Sequence, residues 1–352
     1  MRVVVTGATG NIGTSVVRAL AAHERIESVV GIARRRPAAS PGKVEWRQAD
    51  VARDELEPLF AGADAVVHLA WRIQPSHRQR DLWLTNVHGS SRVFAAAAAA
   101  GVSALVYGSS VGVYSRGSKH ERVDESWPRN GVRSSFYGRH KAEAEWRLDA
   151  VEAANPGLRV VRMRPGLVFK REAASAVRRL FAGPLLPTPL LLPGLLRVLP
   201  DVPGLRVQGV HADDVARAYV EAVVRDVEGA FNLAAEPVLD ATTVAAELGA
   251  RRVRVPARPV RRLAALSWRM HLQPTPPGWL DLGRGVPLMS SERARLELGW
   301  EPRVSSLEAL LEVVAGMREG AGGPTPPLDP DAGGPARLGE VLSGIGAREH
   351  AS

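Results

Sequence analysis

The stretch Thr6-Gly7-Ala8-Thr9-Gly10-Asn11-Ile12-Gly13 decides the fold. It follows the apolar run Arg2–Thr6, which reads as a buried strand, and precedes Ile12–Ala22, which reads as a helix. Glycines at this spacing allow a tight turn, bring backbone close to a pyrophosphate and let the helix pack against the strand. The free N–H groups at the helix start then face the anion. The alternative is an ordinary glycine-rich turn, but the strand before and the helix after are the context a phosphate cradle requires.

Working outward, the strand and helix patterns keep alternating. Ser28–Ala33, Val44–Ala49, Ala63–Leu69, Ala104–Ser109 and Arg159–Arg164 read as strands, and Gln79–Ala100 and Tyr137–Ala154 as helices. Near-continuous apolar strands separated by helices predict an α/β fold, a Rossmann-type doubly wound parallel sheet covered on both faces. Gln208–Asn232 reads as a further helix and strand returning to it. The expected organisation is a dinucleotide-binding domain over 1–168 with 208–235. A smaller, mostly helical C-terminal substrate lobe and lid would cover 169–207 and 236–318, and 319–352, rich in Gly and Pro, would be a flexible tail.

A dinucleotide site expects an acidic residue at the end of the second strand, for the ribose hydroxyls. Ala33 stands there, followed by Arg34, Arg35 and Arg36. Arginines suit a 2′-phosphate, so the expected cofactor is NAD(P), with NADP favoured over NAD. The competing reading is an arginine-rich composition, since only four of the 46 basic residues are lysine. Asp50 and Val51, after the third strand, are candidates for the adenine end.

Of four tyrosines, only Tyr137 has a lysine four residues on, Lys141; chance predicts about 0.05 such pairs. On a helix the two share one face. An ammonium beside a phenol is expected to lower its pKa and make it a better proton carrier. Ser109 and Ser110 lie at the C-terminal end of the fifth strand, where open parallel sheets bind ligands. Either is a hydrogen-bond donor for a substrate oxygen, or a turn residue.

These residues resemble the extended short-chain dehydrogenases/reductases, the NAD-dependent epimerase/dehydratase family. The resemblance runs from residue 1 to about 316. It rests on Thr6–Gly13, His68-Leu69-Ala70, Asn86-Val87-His88-Gly89, Ser109-Ser110, Tyr137-Gly138-Arg139-His140-Lys141, Arg164-Pro165-Gly166, Val210–Ala216 and Glu297–Pro302. It implies an enzyme in which Tyr137 is the acid/base, Lys141 tunes it and holds the nicotinamide ribose, Ser110 rather than Ser109 polarises the substrate, and Asn86 supports the site. It also implies cofactor contacts from Gly7, Thr9, Gly10, Asn11, Ile12, Gly13, Leu69, Ala70 and Pro165, and a homodimer through the two long helices.

Three departures bear on the substrate. Val111-Gly112 follow Ser110 where dehydratases of the family place Asp-Glu. Leu167-Val168-Phe169-Lys170 and Val207-Gln208 stand where nucleotide-sugar members carry diphosphate-contacting Asn and Arg. Residues 170–207 hold Leu180, Phe181, Leu185, Leu186, Leu190–Leu192, Leu195 and Leu196, which suit an apolar substrate, a small-lobe core or a dimer face. The leading expectation is an NAD(P)-dependent oxidoreductase of a carbonyl or hydroxyl carbon. A nucleotide-sugar epimerase with retained NAD and a non-catalytic cofactor-binding regulator are the alternatives.

The 352 residues contain no cysteine, which excludes disulfides, thiolate nucleophiles and cysteine metal sites. No His-Glu-x-x-His pattern is present and no metal is expected. His211, beside Asp213 and Asp214, reads as a structural helix-start residue. No apolar leader opens the chain, and Leu180–Leu199 carries four prolines, so the cytoplasm is expected, with no integral membrane segment. The net charge is +9, of which Ala250–His271 supplies seven arginines and no acid. A nucleic-acid-binding body is therefore not expected. The segment reads either as a solvated helical face or as an attractor of anionic substrate, cofactor phosphate or membrane surface.

Overall fold

The computed structural model describes residues 1–37, 42–73, 77–181, 197–270, 272 and 275–330. Seven strands form its main sheet: β1 (Arg2–Thr6), β2 (Ser28–Ala33), β3 (Val44–Gln48), β4 (Ala65–His68), β5 (Ala104–Gly108), β6 (Arg159–Pro165) and β7 (Gly229–Leu233). Their order is β7-β6-β5-β4-β1-β2-β3 and every pairing is parallel. The returning strand expected after residue 208 is β7, on the edge beside β6.

Burial explains the unbroken apolar strands. Val3 and Val5 join one core with helix α1 (Asn11–Ala22), while Val4, between them, joins another core on the opposite face with Phe60, Val93 and Phe94. Each fully buried valine contributes about 1.5–3 kcal/mol. Strand order reverses direction at β1, so β1 and β4 open a crevice at their C-terminal ends, where open α/β sheets take their ligands.

The long helix predicted over Gln79–Ala100 is present but not uniform. It runs as α-helix over Gln79–Trp83, widens to a π-turn over Leu84–His88, and resumes as α2 (Gly89–Ala99). The π-turn contains Asn86. Helix α3 (Phe136–Ala154) carries Tyr137 and Lys141, and α4 (Ala212–Val224) is capped by His211, whose Nδ1 accepts from the Asp213 amide at 3.2 Å.

The C-terminal elements attach through short parallel pairs, Arg122–Val123 with Leu288–Met289 and Val198–Asp201 with Arg251–Arg254. Residues 320–330, expected to be loose, are instead packed. Leu328 is buried, and the buried Thr325 donates its hydroxyl to the Thr9 carbonyl at 2.8 Å. Glycines at 322 and 323 let this segment fold on itself, which composition alone read as looseness. The leucine-rich stretch 182–196 and the end 331–352 lie outside the described residues.

Candidate active site

The glycine turn is built by close approach. Gly7 has φ +69°, and a Cβ there would stand 2.5 Å from the Ala70 amide nitrogen and the Leu69 carbonyl carbon. A Cβ on Gly13 would stand 2.2 Å from the Gly7 carbonyl oxygen. Leu69 and Ala70 are thus pressed against the turn. Gly10 caps α1 with no side-chain hydrogen bond and no acid follows in the first turn. The first amides of α1 therefore remain for an anion, and Asn11 and Ile12 beside them are partly exposed. These features fit a dinucleotide diphosphate.

Around this turn the other predicted cofactor residues take different places. Ala33 ends β2 buried, and Arg34 and Arg35 are exposed beyond it. Asp50 is partly buried and its Oδ1 accepts from the Ala52 amide at 2.9 Å. Val51 is buried against Gly89 of α2. Pro165 ends β6, buried.

Ser110 and Tyr137 come together. Both lie against Gly112, whose Cβ position is 3.5 Å from Ser110 Oγ, and Ser110 Oγ accepts from the Gly112 amide at 3.1 Å. Gly112 makes room: a Cβ there would be 2.7 Å from Tyr137 Cε1. Ser109 faces the other way and donates to Glu145 Oε1 at 2.5 Å. The two adjacent serines are therefore separated by geometry, and only Ser110 faces the tyrosine.

Lys141 departs from the expectation that its ammonium lowers the Tyr137 pKa. Burial pushes Tyr137 up to about 12, with Ser110 the opposing influence. Lys141 Nζ donates instead to the Gly108 carbonyl at 2.6 Å and sits 3.4 Å above the centre of the Trp71 ring. Burial holds Lys141 well below the usual lysine range, with Glu145 opposing. Its charge faces a carbonyl and an aromatic ring rather than the phenol.

Asn86 does not touch the reacting pair. Its Oδ1 accepts from the Arg72 amide at 2.7 Å and its Nδ2 donates to the Arg72 carbonyl at 3.0 Å. It pins the chain just after Trp71, and the π-turn that contains it is a frequent device at functional sites. It is a positioning residue.

Three participants escaped the sequence. Trp71 packs edge-on to Tyr137 at 6.0 Å, and Trp279, from helix Gly278–Gly285, lies on its other side at 5.1 Å. Val111, Val132, Leu282 and Val286 complete an apolar wall there. Glu145 is fully buried and binds Arg164 through both oxygens, at 2.9 and 2.6 Å. Burial alone would raise Glu145; the Arg164 hydrogen bonds and charge overcome this and hold it below the usual carboxylate range. Arg164 also donates to the Tyr114 hydroxyl at 3.0 Å, and Tyr114 donates to Asn232 at 2.6 Å. This chain of bonds ties α3 to the ends of β5, β6 and β7. Glu145 is four residues beyond Lys141, so helical spacing was its signal. Trp279 had none, being far from Tyr137 in sequence.

Among the described residues no cluster of three His, Asp or Glu could hold a metal, and no helix is long and apolar enough to cross a membrane.

Comparison with known proteins agrees with this fold. The family model for the NAD dependent epimerase/dehydratase family matches residues 3–234. An uncharacterized protein of Mycobacterium tuberculosis, Rv2047c, is 30% identical over 325 residues, 90% of this chain, which spans only 30% of that relative's length. A 4-hydroxy-2-methyl-3-oxo-4-farnesyl-3,4-dihydroquinoline-1-oxide ketoreductase from Stigmatella aurantiaca is 30% identical over 173 residues, 48% of this chain and 51% of that protein. Among solved structures, MoeE5 in complex with UDP-glucuronic acid and NAD superposes with a TM-score of 0.67 at 22% identity, covering 91% of this chain and 99% of that one. The chain belongs to the NAD-dependent epimerase/dehydratase family.

Proposed function

We propose that the chain is an NAD(P)-dependent oxidoreductase that interconverts a carbonyl and a hydroxyl on a substrate with an apolar, ring-bearing part. The observation that carries this is Tyr137, set beside Ser110 across Gly112 and in ring contact with Trp71 and Trp279. The nicotinamide, when bound, supplies or accepts the hydride. In the reducing direction Tyr137 gives its proton to the carbonyl oxygen. A pKa raised by burial keeps that proton on the phenol at neutral pH. Ser110 Oγ, already accepting from the Gly112 amide, has its own O–H left to donate to the same oxygen.

Two positions weigh against a nucleotide-sugar substrate. Lys170 donates to Thr14 Oγ1 at 2.6 Å, so its ammonium is engaged by α1. Gln208 is bound to the Met289 backbone at both ends of its amide, at 3.0 and 2.6 Å. The ketoreductase relative, by its name, acts on a ring-bearing ketone, which is in keeping with the aromatic wall.

Arg34 and Arg35, exposed and without a carboxylate partner among the described residues, support NADP over NAD. The residue ranges expected for the cofactor domain and substrate lobe belong to the same reading, and so does a homodimer. Trp83 and Leu84 on the long helix and Trp146 on α3 are exposed apolar side chains available for such an interface.

The test is Tyr137→Phe. Turnover should fall about 10²–10⁴-fold while cofactor fluorescence titration stays unchanged. Full activity in this variant would overturn the assignment.

A further inference from the structure

The seven arginines of Ala250–His271 converge on one surface element, the helix Ala257–Arg269 with its flanks. No residue of this helix is buried. Its inward side is fixed at two points. Arg261 donates to Asp281 Oδ1 at 2.8 Å, and Trp268 stacks on His77 with ring centres 4.5 Å apart. Asp281 lies on the same helix as Trp279, so this element borders the lobe that supplies the aromatic wall.

The outward side has the unusual composition. Leu263, Leu266 and Met270, at helical spacing, are 68%, 57% and 58% exposed, and Leu272, beyond the helix end, is 51% exposed. Beside it runs a second stripe, Arg258, Arg262 and Arg269, all exposed. Arg251, Arg254, Arg258, Arg262 and Arg269 have no carboxylate partner among the described residues. A solvated face would carry its charges outward and its leucines inward; here the leucines face out and the cations flank them.

We infer that this face docks on the surface of an anionic lipid bilayer. A helix lying in the interface plane needs an apolar stripe to enter the acyl boundary and basic residues beside it to meet lipid phosphates. Both are present side by side on one exposed helix face. A second copy is a poor occupant, because the two arginine stripes would oppose each other. A nucleic acid would leave the leucine stripe without a partner. The inference rests on this surface alone and is independent of the chemistry proposed for Tyr137.

The test uses the full chain with vesicles of phosphatidylcholine alone and of phosphatidylcholine with about one third phosphatidylglycerol. Co-sedimentation should be at least about tenfold stronger on the anionic vesicles and should weaken with salt. Two variants, Leu263→Ser with Leu266→Ser and Arg258→Gln with Arg262→Gln and Arg269→Gln, should each lose it, with cofactor titration unchanged as the measure of an intact fold. Equal binding to both vesicles, no binding to either, or full binding by either variant overturns the inference. So does a concentration-dependent dimer that the leucine variant abolishes, which would make a second copy the occupant.

Discussion

The two sides of Tyr137 are built from different materials. On the sheet side, Ser110, Lys141, Ser109, Glu145 and Arg164 are buried polar groups whose described hydrogen bonds go to one another, to backbone or to the Tyr114 hydroxyl. On the lobe side stand Trp279, Val132, Leu282 and Val286, with no charge among them. The contrast teaches a division of labour. The sheet side fixes where a proton sits, because a low-dielectric setting makes each polar contact strong and each missing one costly. On the proposed reading the lobe side presents shape and apolar area that would select a substrate without altering the chemistry.

Perturbing the sheet side should produce the larger effect. Glu145→Ala leaves the Arg164 guanidinium buried without its carboxylate, a loss of about 3–5 kcal/mol in unfolding free energy by denaturant titration. Glu145→Gln, which keeps the shape and one acceptor, should lose clearly less. Equal losses in the two variants would mean that packing rather than charge holds α3 against the sheet.

Perturbing the lobe side should be milder and of another kind. Trp279→Ala should raise KM about tenfold with kcat little changed, the pattern of an interaction equal in ground and transition states. A loss confined to kcat would place Trp279 in the chemistry and erase the distinction between the two sides.

The same division governs what was legible in the sequence. The parallel sheet, the glycine turn and the Tyr137/Lys141 spacing are local patterns, written in runs of apolar residues and in four-residue steps. The strand boundaries missed by a residue or two, because apolar runs continue past the last paired residue. The choice between Ser109 and Ser110 came from resemblance and is explained by Glu145, which claims the first serine. Lys141 was placed on the right face, but its direction was not readable, since Trp71 and the Gly108 carbonyl that draw it come from other strands. Trp279 and Thr325 were invisible, because nothing local marks a side chain that acts across the fold. The loose tail was a composition argument, and the hydroxyl of Thr325 on the Thr9 carbonyl contradicts it as far as residue 330.

The activity proposed for Tyr137 is net hydride transfer rather than a closed oxidation and re-reduction. The direct measurement is cofactor absorbance during incubation with aryl ketones and aldehydes, and separately with UDP- and dTDP-glucose. The account predicts stoichiometric NADPH consumption with a ring-bearing carbonyl, at least about tenfold better than with NADH, and unchanged sugar nucleotides. Interconversion of a UDP- or dTDP-sugar with no net change in cofactor would contradict it.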